Sequence, residues 1–152
     1  MSYVDSNLMS GEDVVHKGQI HWFVFVPGVF FVILGIYLFG IDQENGTGPV
    51  LGLIISIFGI ASLIKAAITK ATTELAVTSK RVIAKAGLVS RNTVELNHQK
   101  VESFQVDQSI MGRIFGFGTL VVNGTGGGKT PIKNIAAPLM FRRQAMEVID
   151  AS

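Results

Sequence analysis

Twenty consecutive residues, Trp22 to Ile41, carry no charged side chain, and sixteen more, Pro49 to Ile64, follow after the loop Asp42–Pro49. As a helix rising about 1.5 Å per residue, the first run is roughly 30 Å long, the thickness of a bilayer's hydrocarbon core. The second reaches a similar length if it continues to Ile68, with the Lys65 ammonium reaching back to the headgroups. Such a pair either dissolves in lipid or needs a large core to cover it, and the rest of a 152-residue chain is too small to supply that core. The sequence therefore predicts a polar segment over 1–20, a transmembrane helical hairpin over 21–70, and a globular part over 71–152. The 1–20 segment is expected as a mobile tail or an amphipathic surface segment.

A cleaved secretory leader is the rival reading of the first run. It needs a basic start, a short apolar core and a small-residue cleavage site. Here the start is acidic, the core is long and no Ala-x-Ala follows, so a retained anchor fits better.

Charge placement orients the hairpin. The loop carries Asp42 and Glu44 and no basic residue. Residues 65–100 hold Lys65, Lys70, Lys80, Arg81, Lys85, Arg91 and Lys100 against Glu74 and Glu95. Cationic flanks stay in the cytoplasm. Both termini and the globular part are thus expected on the cytoplasmic side, with the acidic loop outside.

The inventory also removes several chemistries. The chain has no cysteine, which excludes structural disulfides, thiolate zinc sites and cysteine nucleophiles. A net charge of +2 is too small to argue for nucleic acid. His16, His21 and His98 lack metal-ligand spacing and are expected as polar surface residues. No carboxylate pair sits within the spans to relay protons. No metal and no cofactor is expected.

Within the hairpin, Trp22 is expected to anchor the first span at the interface, Pro27 and Gly28 to kink it, and Pro49 to open the second helix. Gly52, Ser56 and Gly59 share a small-residue face that suits close contact, either with the first helix or with another subunit. Beyond Lys70 the pattern turns to short strands: Glu74–Thr78, Arg81–Lys85, Thr93–Leu96, Val101–Asp107, Gly118–Asn123 and Thr130–Ile135. Gly87 permits a bend before Leu88 and Val89, and Ser90 to Asn92 reads as a turn. Ser109 caps a one- or two-turn helix over Ile110–Phe115, closed by Gly116. A last helix, Ala137–Asp150, sets Phe141, Ala145, Val148 and Ile149 on one stripe. Short strands followed by one amphipathic helix predict a strongly bent antiparallel sheet or open barrel, with the helix plugging one mouth.

Three stretches carry a resemblance. Residues 74–83, ELAVTSKRVI, then 101–120, VESFQVDQSIMGRIFGFGTL, then Ile135 through Arg143, resemble the membrane-anchored bacterial pleckstrin-homology-like family. The run from Gln108 to Gly116 is its most specific part, and the resemblance covers Thr72 to Asp150. It implies a small β-rich (α+β) PH-like barrel with a C-terminal capping helix, carried behind one or two spans in a bacterial inner membrane. It implies little about biochemistry. Family members assemble into oligomers or act beside partner membrane proteins, and neither habit transfers to named residues here.

Four features remain to be weighed for function. Residues 123–130, NGTGGGKT, imitate a phosphate-binding loop, but Asn123 stands where glycine is needed and Pro131 and Ile132 begin a strand instead of a helix. A glycine-rich hairpin turn is the better reading, and no nucleotide is expected. Lys80, Arg81, Lys85 and Arg91 form a basic cluster that, by the same resemblance, is a candidate lipid or anion site. The linker after Ile68 reaches at most roughly 15 Å, and a strand running outward would carry Lys80 about another 20 Å from the bilayer, beyond a Debye length, which favours a solvated basic face. Arg113 reads as a structural partner of Glu102 or Asp107. No local motif assembles a catalytic set.

The expectation is a non-enzymatic, membrane-tethered scaffold that self-associates as a homo-oligomer or binds a partner membrane protein. Its candidate contact residues are Gly112, Arg113 and Phe115 in one turn and Gly124, Gly126 and Lys129 in another. The alternative is an anionic-lipid sensor using the basic cluster.

Overall fold

The computed structural model describes residues 3–41, 46–87 and 92–151, with Asn92 by its backbone only. In chain order the elements are α1 (Tyr3–Ser6), β1 (Val14–Gly18), a 3-10 turn (Trp22–Phe25), α2 (Val26–Gly40), α3 (Thr47–Thr72), β2 (Glu74–Thr78), β3 (Arg81–Ala86), β4 (Asn92–Asn97), a second 3-10 turn (His98–Lys100), β5 (Val101–Asp107), α4 (Ile110–Phe115), β6 (Phe117–Gly124), β7 (Lys129–Ala136) and α5 (Pro138–Asp150). They form two compact units, 22–69 and 1–21 together with 70–152. Gly87, the expected bend, takes φ 97°; the continuation over Leu88 and Val89 and the turn expected at Ser90 and Arg91 lie outside the described residues.

In the first unit, α2 and α3 pack through their small residues. A Cβ added to Gly59 would stand 2.7 Å from the Val32 backbone nitrogen, and one on Gly28 2.7 Å from a Leu63 methyl. Gly35 likewise meets the Ser56 backbone. The Gly52, Ser56 and Gly59 face is therefore used inside the hairpin, where only hydrogen at Cα lets the two backbones approach. Pro27 falls in the first turn of α2. Its missing N–H breaks no helix bond there, so the kink expected at Pro27 has no cause. The large side chains, such as Phe30, Ile33, Ile36, Ile54 and Ile57, point outward and stay exposed.

The second unit is a pair of antiparallel sheets, ordered β1-β2-β3-β4 and β5-β6-β7. Its core follows from alternation. Along β6, Gly118, Leu120, Val122 and Gly124 turn inward in strict register with outward neighbours. They meet Ile132 and Ile135 of β7, Phe104 of β5, and Phe141 and Ala145 of α5, all buried. The expected barrel does not close. The sheets approach at one seam through an isolated bridge between Ile20 and Ile135, so a two-sheet sandwich with a helix at its mouth describes the unit better.

The largest departure concerns residues 3–20. Far from a mobile tail, they complete the domain. β1 pairs with β2, setting Lys17 against Ala76 and Gly18 against Leu75. Val4 packs on Ala76 and Ile83 across the outer face of the first sheet. Sheets covered on both faces read as unbroken apolar runs. Residues 75–78 and 81–84 are buried on both faces accordingly.

Both connections to the hairpin leave from one end of this unit. β1 ends at Gly18 opposite Leu75, where β2 begins. This junction end also holds Lys85, α4, Phe117 and Ala136. The far end gathers Ser79 and Lys80, the turn 98–100 and the turn 125–128. It is tied by the His98 N–H to the Lys80 carbonyl at 3.4 Å and the Thr125 N–H to the Lys100 carbonyl at 3.0 Å.

Candidate functional site

The basic cluster is taken apart by the fold. Arg81, only 5% exposed, donates from Nε and Nη2 to the two oxygens of Glu12, both at 2.9 Å. Its Nη1 meets Glu95 and its Nη2 also reaches the Asn7 carbonyl at 2.7 Å. Glu12 further accepts from Thr78 Oγ1 and from the Met9 N–H, each at 2.7 Å. Burial opposes the Glu12 charge, but the hydrogen bonds from Arg81, Met9 and Thr78 and the guanidinium charge outweigh it and hold the carboxyl down, from 4.5 to about 2. The same bond to Glu12 raises the Arg81 pKa despite burial. Arg81 is thus an internal strut, not part of a solvated basic face.

Of the other three cations, the two described do not join it. Lys85 is half-buried at the junction end, 3.6 Å from Glu74 and 4.8 Å above the Tyr3 ring. Lys80 is exposed at the far end, its Nζ donating to the Ser10 carbonyl at 2.8 Å. Arg91 lies outside the described residues. His98 also departs from its expected surface place. It is buried, with Nε2 3.0 Å from the Thr78 carbonyl.

The two candidate contact turns sit at opposite ends of β6. At the junction end, Ser109 Oγ accepts from the Gly112 N–H at 3.1 Å and caps α4. Gly116, at φ 79°, closes the helix in the left-handed region, its N–H bonded to the Gly112 carbonyl at 2.8 Å. Gln108 Nε2 donates to the Phe117 carbonyl at 3.0 Å. A Cβ on Gly112 would lie 2.5 Å from that same carbonyl oxygen. Only glycine allows the approach. Arg113 is exposed, and among the described residues no ion pair joins it to Glu102 or Asp107; Asp107 takes its bond from Gln105 at 3.2 Å instead. Phe115 is exposed too.

At the far end, the Gly124 N–H donates to the Gly128 carbonyl and the Gly127 N–H to the Gly124 carbonyl, both at 2.9 Å. Gly127 takes φ 76°. The turn is open: a Cβ on Gly126 or Gly128 would meet nothing within 4 Å. Lys129 starts β7, a strand, so the loop does not open a helix.

A cleft of about 470 Å³ between β1 and α5 brings together His16, Ser79 and Glu147. They are engaged elsewhere. Ser79 Oγ accepts from the Asp13 N–H at 3.2 Å, the His16 ring leans on Phe141 at 5.2 Å, and Glu147 pairs with Arg143 at 3.0 Å. Among the described residues no hydrogen bond links the three.

Comparison with known proteins agrees with this architecture. No curated protein and no solved structure matches the chain. A family model described as bacterial PH domain matches residues 23–151, taking in both apolar helices from Phe23 on, strands β2 to β7 and α5, but beginning after β1. With most of its length matched, the chain belongs to the bacterial PH domain family.

Proposed function

We propose that this protein is a non-enzymatic interaction module tethered to the bacterial inner membrane by the α2–α3 hairpin, with both termini and the PH-like unit in the cytoplasm. The observation that carries the reading is the exposure of the two long apolar helices. Over their most apolar stretches only 11% of the first and 17% of the second is buried. In water, rows of bare isoleucine and phenylalanine form a patch far larger than soluble monomers tolerate; in lipid they are in their proper solvent. The acidic loop and the basic flank after Lys65 set the orientation.

Tethering supplies the mechanism. A domain confined to a thin layer meets other confined surfaces at a much raised effective concentration, so weak contacts suffice. The open far-end turn, Gly124–Lys129, is the surface offered to a second copy or to a partner protein. The lipid-sensor alternative draws less support, because Arg81 spends its charge on Glu12 and Glu95.

The test is fractionation of the full-length protein. It is expected in the membrane pellet, resistant to alkaline carbonate and released by detergent alone. Recovery in the supernatant after ultracentrifugation without detergent would overturn the anchor. Light scattering of the detergent-solubilised particle then measures self-association, and a strict monomer shifts the reading to a hetero-partner.

A further inference from the structure

α4 is built with care and buries almost nothing. Ser109, Gln108, Gly112 and Gly116 fix its backbone, yet Gly112 is its one buried residue. Ile110 is 80% and Ile114 69% exposed, and Met111 and Phe115 are exposed as well. The start of α5 adjoins it, the Ala137 N–H donating to the Gly116 carbonyl at 2.8 Å. Leu139 and Met140 on that first turn are exposed too. Six large apolar side chains thus stand bare at one corner, with the cations Arg113 and Arg142 on the same two helices.

The chain itself says what covers them. Phe117 follows α4 directly, and its ring stacks on His21 at 5.4 Å. The His21 N–H is held by the Asn134 carbonyl at 2.7 Å. Trp22, one peptide further on, opens the first apolar run. Phe115 is two residues from Phe117, at most about 7 Å along the backbone. On the reading that the hairpin is a membrane anchor, His21, the residue that leads into the first span, therefore stands on Phe117, two residues from the end of α4.

We propose that α4 and the first turn of α5 form a second membrane contact, a wedge whose apolar side chains dip into the headgroup boundary beside the anchor while Arg113 and Arg142 reach the lipid phosphates. Interfacial segments of this composition, apolar on one side with basic flanks, lie about 5–10 Å deep in the boundary region. The wedge fixes the domain's tilt on the membrane and turns the Gly124–Lys129 end toward the cytoplasm. This inference rests on the anchor reading.

The chain has no native cysteine, so single cysteines report cleanly. Full-length Ile114→Cys, Ile57→Cys and Gly126→Cys are each labelled with an environment-sensitive fluorophore and reconstituted in phosphatidylethanolamine–phosphatidylglycerol vesicles. Quenchers are carried on lipid chains in one arm and dissolved in the aqueous phase in the other. The wedge predicts that Ile114→Cys is blue-shifted and quenched from lipid, as Ile57→Cys on α3 is, while Gly126→Cys is quenched from water alone. Ile57→Cys quenched from lipid with Ile114→Cys quenched from water overturns the wedge and leaves the anchor standing. Ile114→Cys shielded from both quenchers also overturns it, assigning the corner to a protein partner or a second copy. Ile57→Cys unquenched from lipid fails the anchor itself.

Discussion

The two ends of the PH-like unit invert each other's chemistry. At the far end the charge is inside: Arg81, Glu12 and Thr78 are buried and bonded, and the turn 125–128 at the same end is open glycine. At the α4 corner of the junction end Ser109 and Gln108 shape the backbone, and the exposed side chains are mostly isoleucine, methionine and phenylalanine. An end that meets water can hide a fully satisfied ion pair and expose a soft turn. The corner that carries its hydrophobes outside has its backbone locked from behind by Ser109 and Gln108.

The sharpest way to break this contrast is at Arg81. Removing one partner of a buried pair leaves the other charge uncompensated, at a cost of about 3–5 kcal/mol. Arg81→Ala strands Glu12, and thermal melting of the detergent-solubilised protein should show a loss of that size. Lys80→Ala, one residue away and exposed, should stay within about 0.5 kcal/mol. Equal effects would mean the far end is not organised around the Glu12–Arg81 pair.

Acid probes the same pair from the other side. The Glu12 carboxyl is held at about 2 in the folded protein against an ordinary 4.5. A lowered folded value gives stability that is complete above the ordinary value and drains away as pH falls from about 4.5 toward 2. Melting temperature should therefore drop across that window, and Glu12→Gln, less stable at neutral pH, should show a flatter acid limb. An unchanged limb in Glu12→Gln would assign acid sensitivity to other carboxylates.

At the junction end the effects are smaller and of a different kind. Gly112→Ala places a Cβ 2.5 Å from the Phe117 carbonyl oxygen, and overpacking of this sort costs about 1–3 kcal/mol. Ser109→Ala removes the cap of α4 for about 1 kcal/mol. Hydrogen exchange should quicken over 110–117 while β2 and β3 keep their protection. If Gly112→Ala instead loosens the whole domain, α4 is part of the core and not an appended surface.

How much of this was legible beforehand follows the same division. The strands Glu74–Thr78 and Val101–Asp107 and the Ser109-capped helix closed by Gly116 were readable because each is specified locally, by alternation or by a cap. The place of residues 1–20 was not. Val14 to Gly18, VVHKG, is a short mixed stretch whose strand exists because β2 offers an edge, 57 to 64 residues away in sequence. The available signal lay in the partner: Leu75-Ala-Val77 and Val82-Ile-Ala84 are apolar without a break, which an open face would not need. Arg81 was misjudged for the same reason. A cation in a strand is ordinarily solvated, and only Glu12, folded back over it, makes it internal.

The smallest expected effect separates contact from scaffold. Gly126 has open space where a side chain would go, and its φ is not among the positive ones. Gly126→Ala should leave stability unchanged or raise it by up to about 1 kcal/mol, since it narrows the unfolded ensemble without strain. Gly126→Arg adds bulk and charge at the same harmless position, so its melting temperature should also hold. If the far-end turn is the surface through which tethered copies meet, Gly126→Arg lowers the mass of the detergent particle while Gly126→Ala does not. Unaltered mass in both, from a wild type that associates, moves the self-contact away from this turn, onto another face of the unit or onto the hairpin.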